Sequence, residues 1–410
     1  MTTACTTVTP SATARPAAAT RHVPWRLSPN AAFLLQASMT LGFLAGSSAP
    51  TPFYAIYQRA WGFSSTMLTV AFGVYAIAVL LALLFGGRLS DHVGRRPVLI
   101  GAALAQAASM LIFASADGLQ DLLLARVVQG VSAGVAIAAA GAGLLDIDKG
   151  RGALANSLAP MMGTAVGGLL AGTMIRYLPA PMHLVYAVLG VVFVMQAVLV
   201  YFMAETAAVK GGALASLKPR LAVPAGVRGP LLRVAPALVS VWTMAGFYAS
   251  LGPTLLNGLS GGAGSVILGS SALFVLAGSG ALAVLVTRNL EPHALLRLGA
   301  GALLVGMATA MAAVALREPG LFLLGTAVAG IGFGTGFQGA LRTIIGLIQA
   351  HERAAVLAVL FVISYLAMGL PAMAAGYGVA HQGSIASTAY EFGSGVILLA
   401  LLALFGTVRR

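Results

Sequence analysis

The sequence predicts an all-α membrane protein: twelve spanning helices in two parallel repeats of six. Three observations carry this. First, 59% of its residues are hydrophobic and only 8% charged, with a mean hydropathy of +0.95; no single water-soluble core hides that much apolar surface. Second, apolar runs of about 20 residues, the length that crosses a bilayer core, recur along almost the whole chain. Third, the basic residues gather in alternate loops, as expected when they mark one side of a membrane. The alternating ten-residue segments of a membrane β-barrel are absent.

The runs set the domain boundaries. Residues 1–29 form a Thr/Ala/Pro tail without acidic residues, expected to be disordered and cytoplasmic, with an organelle transit peptide as the alternative; it holds the single cysteine, Cys5, so no intrachain disulfide is available. A first half follows over 30–204, with spans at 31–55, 66–86, 98–116, 119–144, 153–177 and 184–203. Residues 205–231 carry Lys210, Lys218, Pro219, Arg220, Pro224 and Arg228 and read as a flexible basic linker. The second half, 232–408, has spans at 234–257, 265–287, 294–315, 319–347, 354–379 and 385–407. Two echoes relate the halves in the same direction: Gln129-Gly130 recurs as Gln338-Gly339, 209 residues on, and the Arg151 segment recurs at Arg353, 202 residues on.

Taken in order, the first span carries Gln36 as a candidate to line a cavity and ends at Pro50 and Pro52 before Tyr54, Tyr57 and Trp61. Those aromatics suit either an outer gate or an interfacial belt. Between the second and third spans lies Gly87-Arg88-Leu89-Ser90-Asp91-His92-Val93-Gly94-Arg95-Arg96, a dense block of charge in a chain that otherwise has little. Gly87 and Gly94 allow a tight reversal, Asp91 can accept from an uncapped helix N-terminus, and Arg95 and Arg96 can pair with acids or lipid phosphates. The fourth span holds Leu122, Arg126, Gln129, Gly130 and Gly134. An intramembrane arginine is costly unless it faces a wet cavity or a partner, while snorkelling or pairing with Asp121 is the structural alternative. Gln129 lies on the same face and can bond a substrate or join helices. The fifth span contains Gly163, Gly167, Gly168 and Gly172, which can bring helices close. The tenth is glycine-rich up to Gln338, and the eleventh carries Ser364, Tyr365, Gly369 and Pro371; Gln338 and Tyr365 join Gln36, Arg126 and Gln129 as candidates to line the cavity or contact a substrate.

The charged turn, with His92 at one basic place, the Arg126-to-Gly130 pattern and the fifth-span glycines together resemble the major facilitator superfamily, and the likeness covers residues 30–408. It implies two six-helix halves around a central cavity. It also implies that Asp91 meets the start of the eleventh helix near Arg353 in the outward-facing state, a gate latch made in one state and broken in the other. The fifth-span pattern is similar to that of proton-driven drug antiporters, with Thr164 where they have proline; ordinary helix packing explains the same glycines.

With the N-terminus cytoplasmic, 19 of the 23 basic residues fall on the cytoplasmic side. Both termini are then inside, in the plasma (inner) membrane, and the +13 net charge is explained by topology and anionic lipid rather than nucleic acid. Nine of the ten acidic residues sit at helix ends; Glu391 is the candidate for protonation within a span, or else a solvated residue at the outer end of the last helix. The six histidines are scattered, no metal-ligand spacing occurs and no Gly-Lys-Ser/Thr phosphate loop exists, so neither an enzyme, a cofactor nor a metal is expected. The expected function is secondary active transport of a small molecule by a monomer, by proton-linked export of amphipathic drugs or metabolites. Uptake or uniport of a neutral metabolite such as a sugar is the alternative, and a non-transporting membrane sensor the remote one.

Overall fold

The computed structural model describes residues 26–219, 221–261, 266–349, 352–382 and 384–408. The tail as far as residue 25, with Cys5, and the basic pair Arg409 and Arg410 lie outside the described residues. Among the described residues, twelve helices are long and apolar enough to cross a membrane: α1 (Pro29–Ser48), α2 (Ser65–Gly86), α3 (Arg95–Ala114), α4 (Leu119–Ile147), α5 (Lys149–Tyr177), α6 (Pro181–Tyr201), α7 (Ala225–Ser250), α8 (Val266–Val286), α9 (Pro292–Leu316), α10 (Pro319–Ile345), α11 (Arg353–Gln382) and α12 (Ile385–Val408). The protein is a multi-pass integral membrane protein. Backbone polar groups are satisfied within each helix, which is what lets so apolar a chain cross a bilayer.

Local chemistry sets the helix ends. Ser28 and Ser64 cap α1 and α2 by accepting from the amides of Ala31 and Met67. Asp148 does the same for α5, accepting from Arg151. Prolines open α1, α6, α9 and α10 in the first turn, where no intrahelical donor is lost. α7 begins at Ala225, inside the segment expected to be linker, and carries Pro230 and Pro236 within it. The remaining linker is not wholly loose: Lys210 donates its amide to the Asp91 carbonyl, and His92 Nδ1 lies 3.0 Å from the Gly211 carbonyl oxygen.

Helices α1–α6 pack as one half and α7–α12 as the other, meeting along two seams, α2 against α11 and α5 against α8. α5 and α8 meet along most of α8, from Gly172 beside Ser270 to Met161 in one buried cluster with Ala281 and Val284, while α2 and α11 approach from mid-helix toward the end opposite the charged turn, where Thr66 Oγ1 donates to the Gly376 carbonyl and Gly73 faces Met373. At that same end Pro52 and Arg59 share a cleft with Pro253 and Asn257. Both first helices of the halves break there, α1 into Thr51–Phe53 and Tyr54–Trp61, α7 into Gly252–Leu259.

Packing corrects the internal register. Gly130 and Gly134 let α4 lie on α2 beside Tyr75, Ala78 and Val79, and in the second half Gly330 and Gly334 let α10 lie on α8 beside Leu276 and Gly280. The equivalent positions are therefore about 200 residues apart, in line with the Arg151/Arg353 echo. Gln338-Gly339 is not the counterpart of Gln129-Gly130, because Gly339 packs on α9 against Leu295 and Leu296.

An added Cβ at Gly130 would sit 2.6 Å from Ala78 Cβ and 2.7 Å from the Tyr75 carbonyl oxygen, whereas Gly101 has open space around it. Gly130→Val is expected to cost about 1–3 kcal/mol through forced helix separation, seen as a lowered melting temperature of purified protein, while Gly101→Ala leaves it within error or raises it slightly.

Candidate functional site

The α4 arginine is fully buried. Arg126 Nη1 donates to the Ser47 carbonyl at 2.9 Å and to Gln129 Oε1 at 2.6 Å, and Nη2 donates to the Tyr54 hydroxyl. The guanidinium carbon lies 5.3 Å from the Tyr54 ring centre, 5.2 Å from that of Tyr75 and 5.8 Å from that of Phe113. Gln129 passes the network on by donating to the Gly46 carbonyl at 2.9 Å. Neither expected alternative for Arg126 holds: it does not snorkel, and Asp121 instead accepts from the amide of Asp117. Nor does it line an open cavity. Its hydrogen bonds run to a carbonyl, an amide and a phenol, so these groups and the ring quadrupoles stabilise the cation in place of a carboxylate.

The aromatic end of α1 is corrected too. Tyr54 and Tyr57 are buried, each 1% exposed, and Tyr57 donates to the Tyr186 hydroxyl at 2.8 Å. They are interior to the first half, and only Trp61, stacked on Tyr57, nears the surface.

At the charged turn Gly94 adopts φ 108°, a conformation that favours glycine. Glu205 then reaches the exposed N-terminus of α3: its two carboxylate oxygens accept from the amides of Arg95 at 2.8 Å and Arg96 at 3.1 Å. A Cβ at position 94 would lie 2.7 Å from Glu205 Oε2, so the glycine makes room for the cap. Asp91, expected to accept from that N-terminus, pairs with Arg95 Nη1 at 2.6 Å, while Arg95 Nε contacts Asp146 at 3.2 Å. Arg96 donates to the Tyr201 carbonyl at the end of α6. Arg353 is exposed, and Asp91 is held within its own half, so this is a conformation with the expected latch unmade.

The other sequence candidates are dispersed. Gln36 is fully buried, donates to Met203 Sδ at 3.3 Å and crowds Gly143. Gln338 is buried in the second half, Glu391 is exposed six residues into α12, and Tyr365 stands at the junction of the halves. Gly163 and Gly167 bring α5 onto α1 at Leu41 and Ala45, and Gly168 faces Leu273 of α8. Sequence reasoning missed Glu205 as a helix cap, Tyr75 beside Arg126, and Trp242, whose ring is 5.8 Å from Tyr365 and 5.4 Å from Phe337.

A model of the Major Facilitator Superfamily matches residues 37–372. The chain belongs to this superfamily. Curated relatives align over shorter stretches. The multidrug resistance protein MdtL of Klebsiella pneumoniae (strain 342) is 38% identical over 18% of this chain and 19% of its own length. That of Shewanella oneidensis is 42% identical over 22% and 23%. The MFS-type transporter SLC18B1 of Mus musculus is 30% identical over 36% and 33%. The alignments thus span about a fifth to a third of those relatives. Among solved structures, a D-xylose-proton symporter superposes with TM-score 0.71 at 15% identity, covering 90% of this chain and 96% of that one. The nucleoside transporter NupG gives 0.67 at 12%, covering 92% and 99%. These share the superfamily fold.

Removing the guanidinium orphans Gln129 Oε1 and the Tyr54 hydroxyl in the core, at about 1–3 kcal/mol for each unsatisfied group. Arg126→Met should therefore melt well below the parent and Arg126→Lys in between, read by thermal unfolding in one detergent. Glu205→Ala removes a charged cap, and a loss of about 1 kcal/mol is expected in the same measurement.

Proposed function

We propose that the chain is a secondary active transporter that moves a small amphipathic molecule by alternating access, with proton-linked export as its direction. The observation that carries the reading is the asymmetry of contact between the halves. They meet along two seams, of which α2 with α11 has its close approaches from mid-helix toward the end opposite the turn, while at the turn end Asp91 is engaged within its own half and Arg353 is exposed. A rigid half rocking about the seams would open the first end and bring the Asp91 turn to α11, exchanging one set of contacts for another. The sparse fixed charge in the spans supports an amphipathic cargo over a heavily hydroxylated one. The local likeness to multidrug resistance proteins leans the same way.

In this reading the turn side faces the cytoplasm of the plasma (inner) membrane, supported by its basic residues, and the unit is a monomer. The gradient supplies the energy. Glu391 is the carboxylate offered for protonation, and Arg126 holds α1, α2 and α4 as one body rather than contacting cargo directly.

In sealed liposomes with an imposed pH gradient, amphipathic solutes should drive proton movement in the antiport sense. Solute equilibration without proton movement would instead indicate uniport, and co-movement of solute and protons an uptake symporter for a metabolite such as a sugar. Glu391→Gln is expected to remove the pH dependence of flux, and an unchanged dependence would take that residue out of coupling.

A further inference from the structure

Trp242 of α7 packs against the core of the first half and against both main cores of the second. Phe333 and Phe337 of α10 make T-shaped pairs with it, at 5.9 Å and 79° and at 5.4 Å and 89°. Tyr365 of α11 lies obliquely over it at 5.8 Å and 33°. All four rings are partly exposed, although they stand well inside their helices. Trp242 and Tyr365 belong to second-half helices yet pack on the core of the first half, so these two rings stand at the junction of the halves and not on the lipid face.

Polar side-chain atoms are left over on the same helices. The Trp242 indole N–H is buried without a hydrogen-bond partner among the described residues, and so are Gln338 Oε1 and Ser364 Oγ in the same pair of helices, α10 and α11. A buried donor without a partner costs about 1–3 kcal/mol, a cost that a ligand accepting from it would offset. The two-fold plan of the chain does not reproduce this group. The α4 position equivalent to Thr326 is Arg126, so the first half places its polar network around a cation, and the second half keeps its aromatics unfilled by charge.

The geometry points to a binding site at Trp242, Phe333, Phe337 and Tyr365 for a planar, uncharged aromatic molecule that bears a hydrogen-bond acceptor, a carbonyl or a ring nitrogen. This deepens the transport reading and rests on it for the claim that the ligand is cargo. Ring faces and edges hold the flat body, and the Trp242 N–H selects the acceptor. A quaternary cation could also sit over such rings, but no carboxylate joins the box among the described residues to help desolvate it, so the neutral aromatic is favoured.

Acridone, which is flat, neutral and carries one carbonyl, is the probe; anthracene lacks the acceptor, tetraphenylphosphonium is the cation and xylose the sugar. Binding is followed on the full chain in lipid nanodiscs by acridone fluorescence anisotropy, with the other three as competitors. Acridone should bind at least tenfold tighter than anthracene, Trp242→Phe should erase that difference while retaining the flat ring's binding, and Tyr365→Leu should weaken both. Phe337→Leu supplies a second box variant if either of these fails to purify as a folded protein. Equal binding of acridone to parent and variants would overturn the site, as would tetraphenylphosphonium or xylose displacing it at lower concentration than anthracene does. Flux of acridone in liposomes is then read separately. Binding that needs the box but produces no flux supports the site and contradicts the transport reading; flux untouched by the box variants contradicts the site and leaves transport standing.

Discussion

Everything in the first half is organised around one cation that cannot leave. The Arg126 guanidinium has no carboxylate beside it, so three helices must bring their own acceptors to it: Ser47 from α1, Gln129 from α4, Tyr54 just beyond α1, with the ring of Tyr75 from α2 alongside. A buried charge is tolerated only if every part of its surroundings stays in place. The arginine therefore welds α1, α2 and α4 into a unit able to move as one body. Close approach makes the weld possible, since Gly130 and Gly134 let α4 settle onto the α2 backbone. In the second half the equivalent position is Thr326, which merely bonds Tyr248 at 3.1 Å. The two halves share a plan while differing in how each is fastened.

The same logic governs the charged turn. There the membrane no longer forbids charge, and the chain uses carboxylates: Glu205 on the α3 N-terminus, Asp91 and Asp146 on Arg95. These contacts tie the ends of α3, α4 and α6 together and keep Asp91 away from the second half in the conformation seen. In the proposed transport cycle the turn would exchange these contacts for contacts with α11, as a two-state gate requires.

The number of spans and their approximate bounds were legible in the sequence, because a run of about 20 apolar residues has few meanings. The charged turn was legible for the opposite reason, as polarity where polarity is rare. What escaped was facing. Helices that are apolar all round give no periodic signal telling an inward ring from a lipid-facing one, so Trp242 and Tyr75 looked like any other aromatic in a span. Glu205 escaped because its partners lie about 110 residues back, a pairing no local pattern encodes. The Gln-Gly echo misled because two letters recur easily in a glycine-rich chain, and only the packing of Gly330 and Gly334 on α8 fixed the true register near 200 residues.

Two distances measured at once test the central claim most directly. With Cys5 replaced by Ser, spin labels at Val93 and Leu347 would span the turn end, and labels at Arg59 and Thr254 the opposite end, without touching Asp91 or Arg353. Pulsed electron resonance in nanodiscs should find two populations in which the pairs move in opposite senses, the turn-end pair shortening as the other lengthens. Distances that move together, or a turn-end pair that stays apart with solute and across a change of pH, would contradict alternating access between these halves.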